Sequence, residues 1–579
     1  MENQKIGNTL NLALASTMQE REASMNLNIG YDRSDRHWKL IIRSFGSLQD
    51  LEDEELSITS LLGNYGIVDL PENRIEAFVQ DPRIEYVEAP KRLYFSVVSG
   101  RNASCVNAVQ NPPLGLSGEG VVVACIDSGV DYTHRDFRQE DGSTRILRLW
   151  DQTIPGNPPP GYRIGTVYTR EQIDQALQAD TLQEREAIVP SRDTSGHGTA
   201  VLGIAAGNGK ESQGVYRGVA PKADLLVVKL GMEDPDGFPR TTELMQGVDY
   251  AIRTAQQLGK PVVINISFGN SYGPHDGTSL VETYLDQAVG YGRTTICVGC
   301  GNEGNQAGHT SVQVRSGEEK EVELGIGTYE TKMNLQIWKN YQDQMEISLV
   351  HPNGMVLGSL QETLGAQRYQ AGQTELLIYY GKPSPYRMAQ EIYVDFLARE
   401  TYLDSGIWRI RLQPRKILQG EASMWLPGGG SIGPSTRFYR PDPNTTLTIP
   451  ATAFSVISVA AYNSSRQSYA DFSGRGYTRL PLQIKPDLAA PGVGIRTVRA
   501  GGGYQEVTGT SFATPFVSGA AALLAEWGIV RGNDPYLYGE KIKSYLIRGA
   551  RQISGEKQWP NERLGWGTLC VGESLPGIK

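Results

Sequence analysis

Four apolar or nearly apolar runs constrain the fold of this chain more than any other feature. They lie at residues 121–126, 225–230, 262–266 and 294–298. Runs that lack polar alternation are what strands buried on both faces look like. Helical patterns occur with them at 198–207, 241–258 and 278–291. Strand and helix in alternation predict an α/β fold, a parallel sheet flanked by helices. In such sheets, sites gather at the carboxyl ends of the strands.

The alternation stops near residue 309. From 310 to 448 the chain breaks into short strand-like pieces at 311–314, 333–338, 345–350, 376–380, 391–396 and 406–412, with turn signals such as Pro352-Asn353-Gly354 between them. This predicts an all-β insert, a sandwich or jelly roll. The α/β pattern resumes at 454–461. Ahead of it, strand-like pieces at 39–43, 57–62, 65–70 and 84–88 with a helix over 73–81 predict a small α+β module, preceded by a polar leader of weak helical character. The expected division is 1–95, 96–309, 310–448 and 449–579.

Composition excludes several classes of function. Net charge is -9 without a basic tract, so no nucleic-acid partner is expected. No run of about 18 apolar residues predicts a membrane span. Met1-Glu2-Asn3-Gln4-Lys5 lacks the charged and apolar regions of a signal peptide, so synthesis in the cytoplasm is expected. Five cysteines, an odd number, are no disulfide framework. Cys297 and Cys300 have CxxC spacing, but they end a buried strand and no second ligand pair accompanies them. They read as packed core thiols, and no metal site is expected.

Three segments carry the chemistry. Asp127 ends the first apolar run, where the sheet holds a carboxylate rigidly. His197 stands in Ser195-Gly196-His197-Gly198-Thr199 at the start of a helix of small residues. Ser511 stands in Gly509-Thr510-Ser511-Phe512-Ala513-Thr514-Pro515, where another helix begins. A helix N-terminus presents unpaired N–H groups to developing negative charge. Each residue alone reads as a cap or a loop polar group. Together, in the order Asp, His, Ser, they are a nucleophile, its base and the acid that orients the base. A fourth element, Asn302 in Gly301-Asn302-Glu303-Gly304, offers an amide to an oxyanion, beside the backbone N–H of Ser511. Losing one such donor costs about 2.7–4 kcal/mol of barrier.

With these blocks the chain resembles the subtilisin-like serine proteases (subtilases), over about 110–309 and 449–570. Gly218-Val219-Ala220-Pro221 and Ala490-Pro491-Gly492 extend the likeness. The resemblance implies a serine endopeptidase that acts on a protein or peptide substrate through an acyl-enzyme and requires no cofactor. Asp127 would be the orienting acid, His197 the general base, Ser511 the nucleophile and Asn302 the oxyanion donor. It also implies that Ser267, Phe268 and Gly269 pair with substrate backbone and line the first pocket, with Lys229, Leu230 and Gly231 as the opposite edge. Residues 1–95 resemble the family's inhibitory propeptide, which implies self-cleavage around 94–97 and a cleaved prodomain that stays bound.

The signal-less module and the β insert are similar to the clostridial spore-germination Csp proteases, which implies a place in the spore and, as substrate, the proenzyme of a cortex-degrading hydrolase. Asp136 matches a calcium-binding position of secreted relatives. The loop 208–214 is short and interrupted by Lys210 where theirs is longer, so structural calcium is left open. Two rival readings stand beside the endopeptidase: a regulatory binding protein whose prodomain plugs the cleft for good, and a small-ester hydrolase using the same triad.

Overall fold

Strands that bury both faces need a layer of helices on each side, and the computed structural model supplies both. It describes residues 4–24, 26–91, 94–95, 102–231, 239–479 and 483–576. The central sheet has nine strands. Across the sheet they run Ser468–Tyr469, Ile457–Asn463, Thr294–Gly299, Val262–Ile266, Val122–Asp127, Asp224–Lys229, Ile146–Asp151 and Thr166–Thr169, and Leu488–Pro491 also pairs with Ile457–Asn463. All pairings are parallel except those of the two edge strands, Ser468–Tyr469 and Thr166–Thr169.

Alternate residues of one strand feed different cores. Val123 and Cys125 pack with the helices His197–Ala206 and Thr510–Ala525. Val122, Ala124 and Ile126 pack with the helices Thr241–Gln257 and Leu280–Ala288. Among the described residues one helix, Thr510–Val530, is long and apolar enough to cross a membrane, and it lies buried in this core.

Residues 309–438 form two antiparallel sheets of six and five strands that enclose a separate apolar core. Strands Lys320–Ile326, Ala366–Ala371 and Glu421–Trp425 are additional to those read in the sequence. The N-terminal module is a five-stranded antiparallel sheet with the helix Ile75–Gln80. Its leader holds two helices, Asn8–Ala15 and Met18–Ala23, the second begun by a Thr17–Glu20 capping box.

This module is gripped from two sides. Ile41, Tyr65, Ile67 and Tyr86 pack into the core that contains helices Thr241–Gln257 and Leu280–Ala288, where the Leu62 N–H donates to Asp249 at 2.9 Å. On the other side Leu377, Tyr379, Tyr393 and Leu397 of the β insert join the module's own core. Polar contacts reinforce that side. The Arg368 guanidinium donates to both Glu20 carboxylate oxygens at 2.5 and 3.0 Å, and Asn8 donates to Glu391 at 2.6 Å.

The cysteines need one correction. Cys105 and Cys570 form a disulfide with Cα atoms 4.8 Å apart, a pairing that 465 residues of separation conceal from sequence reading. Cys125, Cys297 and Cys300 are buried free thiols, and burial pushes Cys297 up to about 12.

Candidate active site

Strand Val122–Asp127 is buried throughout and delivers Asp127 at its carboxyl end, fully buried. His197 opens the helix His197–Ala206, and its Nδ1 donates to Asp127 Oδ1 at 2.7 Å. The same oxygen accepts the Ser128 N–H at 2.8 Å. With Nδ1 committed as donor, a neutral imidazole carries its lone pair on Nε2, the state a general base needs. Gly198 is what lets the helix come this close. A Cβ there would lie 2.1 Å from the Gly129 carbonyl and 2.9 Å from Asp127 Cβ.

A residue that sequence reading missed holds this junction. One oxygen of buried Asp193 accepts from Ser128 Oγ (2.8 Å), Ser195 Oγ (3.2 Å) and the Gly196 N–H (2.9 Å). The other accepts from the Thr199 N–H (2.9 Å) and Thr199 Oγ1 (2.6 Å). Ser128 Oγ in turn accepts the Gly198 N–H at 3.0 Å. Asp193 therefore ties the strand end that carries Asp127 to the first turn of the histidine's helix. The available signal was an acidic residue four positions ahead of a helix-starting histidine, in a Ser/Gly loop.

Ser511 occupies the first turn of the helix Thr510–Ala525, every residue of which is buried. Its hydroxyl donates to the Ser267 carbonyl at 2.8 Å, and Ser267 Oγ donates back to the Ser511 carbonyl at 2.8 Å. Pro515 explains the second bond, because it lacks the N–H that would otherwise take that carbonyl within the helix. Asn265 Nδ2 donates to Ser267 Oγ at 2.9 Å and so fixes the serine's partner. The His197 ring lies 5.1 Å from the ring of Phe512, the neighbour of Ser511, and 5.9 Å from that of Phe268. The imidazole thus lies against the residue that follows Ser511 and against the edge residue Phe268.

Asn302 Oδ1 accepts from the Thr510 N–H at 3.1 Å and lies 3.3 Å from Thr510 Oγ1. With its oxygen committed to Thr510, the Asn302 side chain has Nδ2 as its donor. Next in sequence, Glu303 accepts the Gly429 N–H at 3.2 Å, and burial pushes its carboxyl up to about 7.

The two predicted substrate edges differ. Strand Phe268–Gly269 pairs antiparallel with Tyr94–Phe95, in the register Phe268 to Phe95 and Gly269 to Tyr94. The prodomain's last described strand therefore runs along this edge in the direction of Ser267, the residue that binds Ser511. Residues 96 and 97 of the expected cleavage window lie outside the described residues. The other edge is tied inward. The Leu230 N–H donates to the Asp127 carbonyl at 2.9 Å, the Gly231 N–H to Gln152 Oε1 at 2.9 Å, and the Lys229 ammonium pairs with Asp151 at 3.2 Å. Residues 229–231 thus commit these three donors within the fold.

The residues around Asp136 do not fit a calcium ion. Its carboxylate accepts the Tyr504 hydroxyl at 2.9 Å on one oxygen and the Glu211 N–H at 2.9 Å on the other, so hydrogen-bond donors face both. Among the described residues no cluster of three His, Cys, Asp or Glu side chains is arranged to hold a metal.

Comparison with known proteins agrees with this architecture. Residues 4–91 match the Csp protease B prodomain, and residues 118–381 and 431–567 match the Subtilase family. The solved structure of the Clostridium perfringens CspB protease superposes with a TM-score of 0.75 at 36% identity, covering 82% of this chain and 96% of that one. The minor extracellular protease Vpr of Bacillus subtilis (strain 168) is 24% identical over 483 residues, covering 80% of this chain and 52% of Vpr. The major intracellular serine protease of the same organism is 28% identical over 301 residues, covering 50% of this chain and 79% of that protein. The chain thus spans about half the length of Vpr, and 24% of the PII-type proteinase of Lactococcus lactis subsp. cremoris. With its parallel sheet, its Asp–His pair beside a serine-bearing helix and the family match over both halves, the chain belongs to the subtilase family of serine-type endopeptidases.

Proposed function

We propose that the chain hydrolyses peptide bonds through Ser511, His197 and Asp127, and that its first substrate is its own segment 94–97. His197 Nε2 takes the Ser511 proton as Oγ attacks the scissile carbonyl. Asp127, 2.7 Å from Nδ1, holds the ring and stabilises the imidazolium that forms. The oxyanion receives hydrogen bonds from Asn302 Nδ2 and the Ser511 backbone N–H. His197 then gives its proton to the leaving amine. Water, activated by the same imidazole, hydrolyses the acyl-enzyme and frees Ser511.

The observation that carries this reading is the strand Tyr94–Phe95 paired on Phe268–Gly269, since it lays the chain's own backbone along the edge that leads to Ser511. An edge made for extended backbone favours a peptide over a small ester. The two-sided grip on the N-terminal module supports a second reading, in which the cleft stays plugged and the protein acts by binding. It equally supports a cleaved prodomain that remains attached.

Likeness to the CspB protease at 36% identity supports a narrower role. In it the chain is a spore-associated germination protease, made in the cytoplasm, that activates the proenzyme of a cortex-degrading hydrolase. Intact masses of the wild type and Ser511→Ala test the reading. The wild type should split within 94–97 while the variant stays whole. If both stay whole, self-cleavage falls and the plugged binding protein takes its place. The processed protein, added to purified cortex-hydrolase proenzyme, should cut it, whereas an unchanged proenzyme removes the germination role.

A further inference from the structure

Two backbone segments enclose the space in front of the scissile bond. One is 267–269, which pairs with Tyr94–Phe95, and the other is 300–302, which carries Asn302. An attacked carbonyl must reach Asn302 Nδ2 while its chain runs along 267–269. The side chain of the residue that owns that carbonyl then enters between the two segments.

That space already has an occupant. A Cβ built on Gly269 would lie 2.4 Å from Thr448 Oγ1, and one built on Gly301 would lie 2.3 Å from Thr448 Cγ2. Thr448 therefore stands against both glycine walls: its Oγ1 lies 2.4 and 2.6 Å from the two built Cβ positions, and its methyl meets the Gly301 wall beside Glu303 Oε2. It cannot easily swing away. Its N–H donates to the Cys300 carbonyl at 2.9 Å, while Ile449 exchanges two backbone hydrogen bonds with Asn270 at 2.7 and 2.9 Å. The strap that carries Thr448 is thus stitched to both walls. Its side chain is 3% exposed, and the buried Oγ1 has no hydrogen-bond partner among the described residues. A buried hydroxyl without a partner favours a ligand that brings a polar atom.

We propose that Thr448 sets the specificity of this protease by closing the floor of the first pocket, so that the residue before the cleaved bond must be small and preferably carries a hydroxyl. The inference rests on the self-cleavage reading above. It also selects the bond. Of Tyr94, Phe95, Ser96 and Val97 only Ser96 combines small size with a hydroxyl, so the chain cuts itself after Ser96. Phenylalanine or leucine at that position would have to displace a side chain packed between two backbones. Single methylene differences change rates by about 10–200-fold, so a loss on the order of 100-fold or more is expected for the larger residues.

The test uses the full chain and reads cleavage in cis, with the site assigned by intact mass. Wild type and Ser96→Ala should split after residue 96, while Ser96→Leu and Ser96→Phe should slow on the order of 100-fold or stay whole. Thr448→Gly in the Ser96→Leu chain should restore cleavage, with Thr448→Ala intermediate. If Thr448→Gly does not fold, the Ser96 series in the native pocket decides alone. Cleavage of Ser96→Phe at the wild-type rate, or a wild-type cut after Tyr94 or Phe95, overturns the small pocket. If Ser511→Ala stays whole in that same experiment, the protease reading survives the loss. A wild type that stays whole removes self-cleavage, and the specificity inference goes with it.

Discussion

Asp193→Asn tests how the site is held together. The substitution keeps size and shape but turns one acceptor oxygen into an N–H₂ group. Five donors converge on the carboxylate at 2.6 to 3.2 Å, three on one oxygen and two on the other. Whichever way the new amide faces, it opposes one backbone N–H, of Gly196 or Thr199, and at least one hydroxyl loses its charged acceptor. Hydrogen bonds to a charged group contribute about 1.5–3 kcal/mol each, so two lost bonds correspond to roughly 3–6 kcal/mol, spread between folding stability and local rearrangement. The rearrangement falls on Ser128 and the Gly196–Thr199 turn, the seats of Asp127 and His197. A displacement of about 1 Å of a catalytic group costs on the order of 100-fold in rate. The assay is a time course of self-cleavage by intact mass, with a thermal melt of Ser511→Ala and of the Asp193→Asn, Ser511→Ala double variant. Because the substrate strand belongs to the same chain, the loss should appear in the cleavage rate rather than in binding. If Asp193→Asn cuts itself at the wild-type rate and melts with its parent, the structural argument for Asp193 is refuted.

Three further outcomes follow from other parts of the molecule. Burial pushes the Asp395 carboxyl up to about 7 from its ordinary 3.8, so the folded chain holds a proton there that the unfolded chain releases. The stability it contributes is complete below about pH 4 and is lost as pH rises through about 7. The difference is on the order of 4 kcal/mol, so thermal melts of the wild type should lose ground to Asp395→Asn across that window, and parallel curves would contradict the assignment. Arg368→Ala removes the paired bonds to Glu20. For a half-exposed pair worth about 1 kcal/mol this should weaken retention of the cleaved prodomain roughly fivefold, measured by its dissociation constant. Cys105→Ser should lower stability by about 2–4 kcal/mol, and reductant should lower the wild type equally while leaving the variant unchanged.

The parts of the site legible in the sequence were those whose signal is local. Asp127 closes a run of six buried residues, and Ser511 opens a helix of buried small residues, so both stood out against their surroundings. Asp193 did not, because a lone aspartate among Ser and Gly looks like any loop cap. Its five partners are assembled only when Ser128 meets the helix His197–Ala206. Thr448 was hidden for a similar reason. It follows the insert and is brought back between Gly269 and Gly301 by the chain's return to the sheet. In the insert, Met333–Trp338 was readable because the core residues Met333, Leu335 and Ile337 alternate with polar ones, whereas Ala366–Ala371 is a largely solvent-facing strand of mixed composition. The short leader helix Met18–Ala23 depends on a capping box and on packing against the insert, not on an apolar stripe of its own.

The central claim is that Asp127, His197 and Ser511 act as one nucleophilic system, with Asp127 working through His197. Self-cleavage rates of Asp127→Ala, His197→Ala and their double variant test it most directly. The account predicts that each single variant is slowed by orders of magnitude and that the double is no slower than His197→Ala, because an orienting acid has nothing left to orient once the imidazole is gone. A double variant slowed by the product of the two single effects would show two independent contributions and contradict the triad.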